Sequence, residues 1–288
     1  MNIRILDENS LLVTVFLLIK IIATSDIHSP RYLDLFIKSM DQLIVEPDLI
    51  ILAGDLVEKN NIHAFKQVYD YLMNKYSKVP VIAVFGNEEY RGYENKYREQ
   101  YGGIKWLNDE YVIIDLRNFR IGLIGTRGAL DKPTPWQFKN IPGIVEYYNN
   151  LPIKVSNMVD DLIKQRVDLT ILVSHYGVTY KNLEGEPRSI WFHLASRRFE
   201  EVIINKKIDL VIHGHIHNGL KDIVYVDSTP IYNVSLPARG GVQYIEIGET
   251  RRERVKGLEK WFMKNNESNQ HQGLKPSNTP SAITNASK

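Results

Sequence analysis

The sequence contains no cysteine, which removes disulfide scaffolds, thiolate metal sites and cysteine nucleophiles together. It has no surplus of either charge, since 36 basic and 34 acidic residues leave a net +2. The broad basic footprint of a nucleic-acid binder is missing, although a local patch is compatible with that balance. Neither Gly-x-Gly-x-x-Gly nor Gly-x-x-x-x-Gly-Lys occurs, so dinucleotide and P-loop phosphate cradles are excluded. There is no Gly-x-Ser-x-Gly elbow to offer a serine nucleophile. No repeat of fixed period is present. What remains is a chain of 288 residues, 43% apolar. That is enough to bury a large core without staples.

One apolar run needs a decision. Residues 11–24 read LLVTVFLLIKIIAT, but Lys20 interrupts after nine residues, short of the ~20 a membrane span needs. The preceding segment sets Arg4 against Asp7 and Glu8, unlike the basic leader of an export signal. The β-branched and aliphatic content predicts a buried strand; an export signal or a native start near Leu18 are the alternatives. A cytoplasmic location and no membrane partner follow from the strand reading. Residues 265–288 are rich in Asn, Ser, Gln, Pro and Thr and are predicted to be a flexible polar tail. The domain is then expected over 11–264.

Short apolar runs at 48–53, 79–85, 168–174 and 208–212 predict strands buried on both faces. Between the first of them, Leu33, Phe36, Ile37, Met40, Leu43 and Ile44 keep helical spacing, with Ser29-Pro30 as N-cap and first-turn proline. Ile62, Phe65, Val68, Tyr69, Leu72, Met73 and Tyr76 repeat it. This alternation predicts a mostly parallel sheet. Runs at 104–107, 111–116 and 119–126, and again at 223–226, 230–234 and 242–247, are close-spaced strands instead. An α/β chain with two facing sheets and helices outside them accommodates both patterns.

Five polar clusters follow apolar strands. They are Asp26-Ile27-His28, Gly54-Asp55 with Glu58, Gly86-Asn87-Glu88-Glu89, His175, and His213-Gly214-His215-Ile216-His217. In α/β sheets ligands bind beyond the C-terminal strand ends, so one site is able to collect all five. Asp26 and Asp55 offer hard oxygens, Asn87 a neutral one, and His28, His175, His215 and His217 imidazole nitrogens. That donor set suits Mn²⁺ first, with Fe, Zn, Co or Ni as alternatives. Seven ligands are too many for one ion and suit two ions sharing a carboxylate.

These motifs resemble the calcineurin-like metallophosphoesterase family over about residues 20–250. Its run is Asp-x-His, Gly-Asp with an acidic follower, Gly-Asn-His-Asp/Glu, a lone His, and Gly-His-x-His. The resemblance implies a four-layer α/β/β/α sandwich of two facing mixed sheets. It implies one metal on Asp26, His28, Asp55 and His217, and a second on Asp55, Asn87, His175 and His215, with Asp55 bridging. One position departs from the pattern: Glu88 stands where the family has its catalytic histidine. A carboxylate beside two divalent ions favours its ionised form and is a poor proton donor. Glu88 is therefore expected to bind an ion or its water, or to turn towards Arg91, rather than to serve as the acid.

Beyond the ligands, Arg91 and His193 are candidate substrate contacts, and His213 a support for the ligand loops. Arg127 and Arg239 are weaker candidates, and the Tyr-rich stretch 90–101 is expected to be a solvated helix face. The expected activity is metal-dependent hydrolysis of a phosphoric ester, a phosphodiester before a monoester. A nuclease of the same fold and a catalytically weak binding scaffold are the alternatives. The sequence gives no oligomeric state.

Overall fold

The computed structural model describes residues 2–7 and 10–256, with side chains from 18 to 248. The expectations for residues 265–288 lie outside the described residues. The chain divides into two compact units, Leu18–Gly248 and a second made of Met1–Leu17 with Glu249–Lys288. In the second, β1 (Asn2–Asp7) pairs antiparallel with the first residues of β2 (Ser10–Thr24), from Asn2 opposite Thr14 to Asp7 opposite Ser10. The apolar run at 11–24 is thus a strand.

In the Leu18–Gly248 unit, β2 continues parallel to β3 (Leu49–Ala53), β3 to β4 (Val81–Val84), and β4 to β5 (Lys105–Leu107). The connections hold α1 (Leu33–Gln42), α2 (Lys66–Lys75) and α3 (Glu94–Gln100). One face of this sheet presents Ile50, Leu52, Val81 and Ala83 to Phe36, Met40, Val68 and Leu72. The period of two along each strand then sends Ile51, Ala53, Ile82 and Val84 to the opposite face, and all of these are buried.

The second sheet uses β6 (Glu110–Leu116), β7 (Phe119–Thr126), β8 (Leu169–Ser174), β9 (Leu210–His213), β10 (Ile223–Val226) and β11 (Thr229–Asn233). Its order is β10-β11-β9-β8-β7-β6. The four inner strands are parallel, and both edge strands join as antiparallel hairpins. After β7 come α4 (Pro135–Asn140) and the long α5 (Ile144–Lys164); α6 (Arg198–Asn205) precedes β9. Val155, Val159, Leu162, Phe199 and Val202 of α5 and α6 pack on Ile124, Leu172 and Val211. The short α7 (Leu236–Arg239) and β12 (Gln243–Lys256) close the described chain. The helices lie on outer faces and the sheets face each other, as the four-layer expectation requires. The approach is close at Gly125, where a Cβ would stand 2.3 Å from Leu107 Cβ and 2.9 Å from Val84 Cγ1. Among the described residues no helix is long and apolar enough to cross a membrane.

Three local expectations are corrected. α1 starts at Leu33, and Ser29 does not cap it: its hydroxyl donates to the Ala64 carbonyl at 2.7 Å. Leu43 and Ile44 fall beyond the helix, and Ile44 is fully exposed. The stretch 90–101 is only partly a solvated face, because Tyr97 and Tyr101 are core residues packed around Phe65, Phe85 and Trp106.

Candidate metal centre and active site

Every polar cluster leaves the C-terminal end of a parallel strand, from β2, β3 and β4 in one sheet and β8 and β9 in the other. The turns are sharp. Asp26, His28, Asp55 and His215 all have left-handed backbone, with φ of 56°, 43°, 51° and 68°. Non-glycine residues in that region are strained, and such strain gathers at functional sites. Hydrogen bonds between the turns over-determine them: Asp26 N–H donates to the Gly54 carbonyl at 2.9 Å, and His28 N–H to that of Asp55 at 3.0 Å. At Gly86 a Cβ would lie 2.1 Å from Asp55 Oδ1, so only glycine lets the third turn pass behind that carboxylate.

Six of the seven candidate donors converge into two groups able to hold a metal, Asp26 with His28 and His217, and Asp55 with His175 and His215. Asp26 Oδ2 accepts from the Ser25 hydroxyl at 2.6 Å and from His215 N–H at 2.9 Å, while Oδ1 stands 3.0 Å from His217 Nε2. Asp55 Oδ2 faces both groups, 3.9 Å from His28 Nε2 and 3.4 Å from His175 Nε2. His175 Nδ1 donates to the Ala53 carbonyl at 2.9 Å, which fixes the ring and aims Nε2 inward. Asn87 Oδ1 lies 3.2 Å from that Nε2.

Asp26 and Asp55 are at most 1% exposed. Among the described residues every ion-pair partner of either is a histidine. Two buried carboxylates without a lysine or arginine call for another cation, and the sulfur-free donor set fits a pair of divalent ions. Burial raises Asp26, but the hydrogen bond from His217 and the charge of His175 outweigh it and hold the carboxyl well below the usual range. Asp55 is also lowered, burial pulling upward and His175 downward. For His175 burial disfavours the charged form, yet the adjacent Asp55 prevails and lifts it to about 9. His215, buried and repelled by His175, falls to about 3.

Glu88 lies at this centre through its backbone. Its N–H donates to Asp55 Oδ1 at 2.7 Å, but its carboxylate accepts from Lys59 N–H at 2.6 Å. It is not turned to Arg91. The neighbouring Glu89 is fully buried. Its carboxylate accepts from four backbone N–H groups: Asp55 at 2.9 Å, Leu56 at 2.6 Å, Val57 at 3.2 Å and Gly86 at 2.6 Å. Burial and the charge of Asp55 push it up to about 7. Arg127 is 3% exposed; its guanidinium donates to the Gly86 and Glu89 carbonyls and, at 2.8 Å, to Glu94. It braces the third turn. His213 donates through Nδ1 to the Gly214 carbonyl at 2.9 Å and stands outside both donor groups.

A cavity of about 730 Å³ opens beside Asn87 and His215. Arg91 and His193 are both in its wall. The Arg91 guanidinium lies 4.4 Å from the Tyr147 ring centroid and joins no ion pair among the described residues. His193 Nδ1 donates to the Lys132 carbonyl at 2.8 Å, which leaves Nε2 for a ligand. Tyr176, packed on the His215 ring at 4.7 Å, closes the inner end.

The sequence profile of calcineurin-like phosphoesterases matches residues 19–219. The chain belongs to that family. A calcineurin-like phosphoesterase is a metal-dependent phosphoester hydrolase with a dinuclear centre, in agreement with the two donor groups. No curated protein matches the chain by sequence. Solved structures share the fold. The phosphopantetheinyl hydrolase of Mycobacterium tuberculosis aligns with 14% identity and a TM-score of 0.54, covering 78% of this chain and 95% of that one. A putative 5′-nucleotidase from Staphylococcus aureus aligns with 13% identity and a TM-score of 0.52, covering 88% of this chain and 58% of that one.

Sequence reasoning gives little weight to Glu89 and none to Tyr176. The acidic fourth place of Gly86-Asn87-Glu88-Glu89 is the signal for the first, overshadowed by the unusual residue before it. Tyr176 directly follows His175, and nothing local distinguishes it from a core tyrosine.

Proposed function

We propose that this phosphoesterase cleaves phosphodiesters in preference to monoesters, with Mn²⁺ as the working ion. Asp26, His28, Asp55 and His217 would hold one ion, and Asp55, Asn87, His175 and His215 the other. Bound there, two divalent ions lower the pKa of a water towards neutrality and offset charge on the phosphate oxygens.

The chain's own residues supply the rest. Ala53 and Ser25 fix the orientation of His175 and Asp26 before any ligand arrives. Arg91, without a carboxylate partner, is free to pair with a phosphate oxygen. His193, with Nε2 unspent, is placed to hold or pass a proton at the cavity wall.

The observation that carries the diester preference is the balance of charge in that wall. Arg127 is spent on Glu94 and two carbonyls, so one unpaired cation, Arg91, is set against one carboxylate, Glu88. A monoester brings nearly two negative charges at pH 7, whereas a diester brings one. The wall suits the singly charged ester. The test compares bis(4-nitrophenyl) phosphate with 4-nitrophenyl phosphate, which share a leaving group, in Mn²⁺. We expect kcat/KM at least tenfold higher for the diester. Equal values or the reverse order contradict the proposal.

A further inference from the structure

Four of the five exposed aromatic side chains among the described residues lie on two short segments. Tyr90 and Tyr93 follow the third metal-binding turn; Trp136 and Phe138 are on α4. Tyr90, Tyr93 and Trp136 line the cavity that opens beside His215. Trp136 is 66% exposed, and folding gives no reason to hold so large an apolar surface in water.

The arm that carries Trp136 is built to be rigid. Thr134 accepts from Gln137 N–H at 3.2 Å, and the Gln137 side chain accepts from Thr134 N–H at 2.9 Å, which closes a capping box around Pro135. Gln137 Nε2 then donates to the Tyr176 hydroxyl at 3.0 Å. Tyr176 packs on His215. Trp136 is therefore tied through α4 and Tyr176 to a residue of the metal centre. Arg91 continues the same wall as a flat cation stacked on Tyr147.

Large aromatic faces beside a cation recognise planar rings, because stacking gains from a flat partner and tolerates its identity. The volume of about 730 Å³ falls within the range of small-molecule sites, roughly 300–1,000 Å³. We infer that the organic group of the substrate carries a planar ring of nucleobase size. The ring stacks in this cavity against Trp136, Tyr90 and Tyr93 while the phosphoryl group faces Asn87 and His215. This inference rests on the hydrolase reading above for the place of the phosphoryl group.

The test is binding by the full chain loaded with Mn²⁺, by calorimetry, of adenosine 5′-monophosphate and of ribose 5-phosphate. These probes share the phosphorylated ribose, whose C1 carries the base in the first and a hydroxyl in the second. Wild type should bind the first at least tenfold tighter. The double variant Tyr93→Ala, Trp136→Ala removes exposed side chains, and it should lose at least fivefold of that preference. Tyr225→Ala removes an exposed aromatic on β10 and should keep it. A wild-type ratio under tenfold, or a double variant that loses less than fivefold, overturns the inference. The readout is binding, so the two readings fail separately. A chain that prefers the base but hydrolyses no ester contradicts only the hydrolase reading. One that hydrolyses diesters without that preference contradicts only this inference.

Discussion

Glu88 and His175 show how single residues set the chemistry of this centre. The Glu88 carboxylate accepts from Lys59 N–H, and a carboxylate held as an acceptor is a poor proton donor. Esters that need no proton on the leaving oxygen should then be cleaved well and alkyl esters slowly. We expect nitrophenyl diesters to exceed methyl diesters by more than a hundredfold in kcat, and Glu88→His to narrow that gap. If Glu88→Gln abolishes alkyl cleavage while sparing metal content and nitrophenyl cleavage, Glu88 is the donor after all. His175 is raised to about 9 by Asp55, against the effect of burial, so at pH 7 it carries a proton that a metal must displace. Apparent Mn²⁺ affinity should rise with pH, approaching tenfold per unit below about 9 and levelling above it. A titration showing equal affinity at pH 6.5 and 8.5 contradicts this. The candidate ligands themselves are legible in the sequence because each sits in a short motif at a strand end. Glu89 and Arg127 are not, because most of the backbone groups they hold lie more than 30 residues away.

At the scale of elements, the parallel strands of both sheets end on one side, and the turns after them are the site. Their positions follow from short apolar runs bounded by turn residues, so β3, β4, β8 and β9 are readable within a residue or two. α5 is not legible in the sequence, although Ile144, Tyr148, Leu151, Val155, Val159 and Leu162 mark its buried face. Pro152 inside it and the polar run between β7 and α5 obscure the periodicity. Ser29-Pro30 misplaces the start of α1, because Ser29 bonds to a distant carbonyl rather than to its own helix. A close approach between the sheets is at Gly125 of β7, opposite Leu107 and Val84. Gly125→Ala should destabilise the fold by about 1–3 kcal/mol through overpacking, read from the urea midpoint. Gly102→Ala, whose new Cβ would meet nothing closer than 3.7 Å, is the control and should change it little. Equal effects would mean that the sheets yield at Gly125.

Across the whole compact unit, two sheets converge so that Asp26, His28, Asp55 and Asn87 from one meet His175, His215 and His217 from the other. Neither sheet holds a complete donor set for two ions. The pairing of sheets was legible from the two strand patterns, but the cavity was not, because its wall joins residues from 87 to 215 that no local pattern links. The central claim is that the two buried carboxylates are there to hold two ions, with Asp55 shared. The most direct measurement is elemental analysis of folded protein after incubation with excess Mn²⁺ and removal of free ion. We predict about two ions per chain in wild type and fewer than one in Asp55→Ala, with both proteins folded by circular dichroism. Wild-type protein that is folded yet retains no ion, or an Asp55→Ala variant that still retains two, would contradict the account.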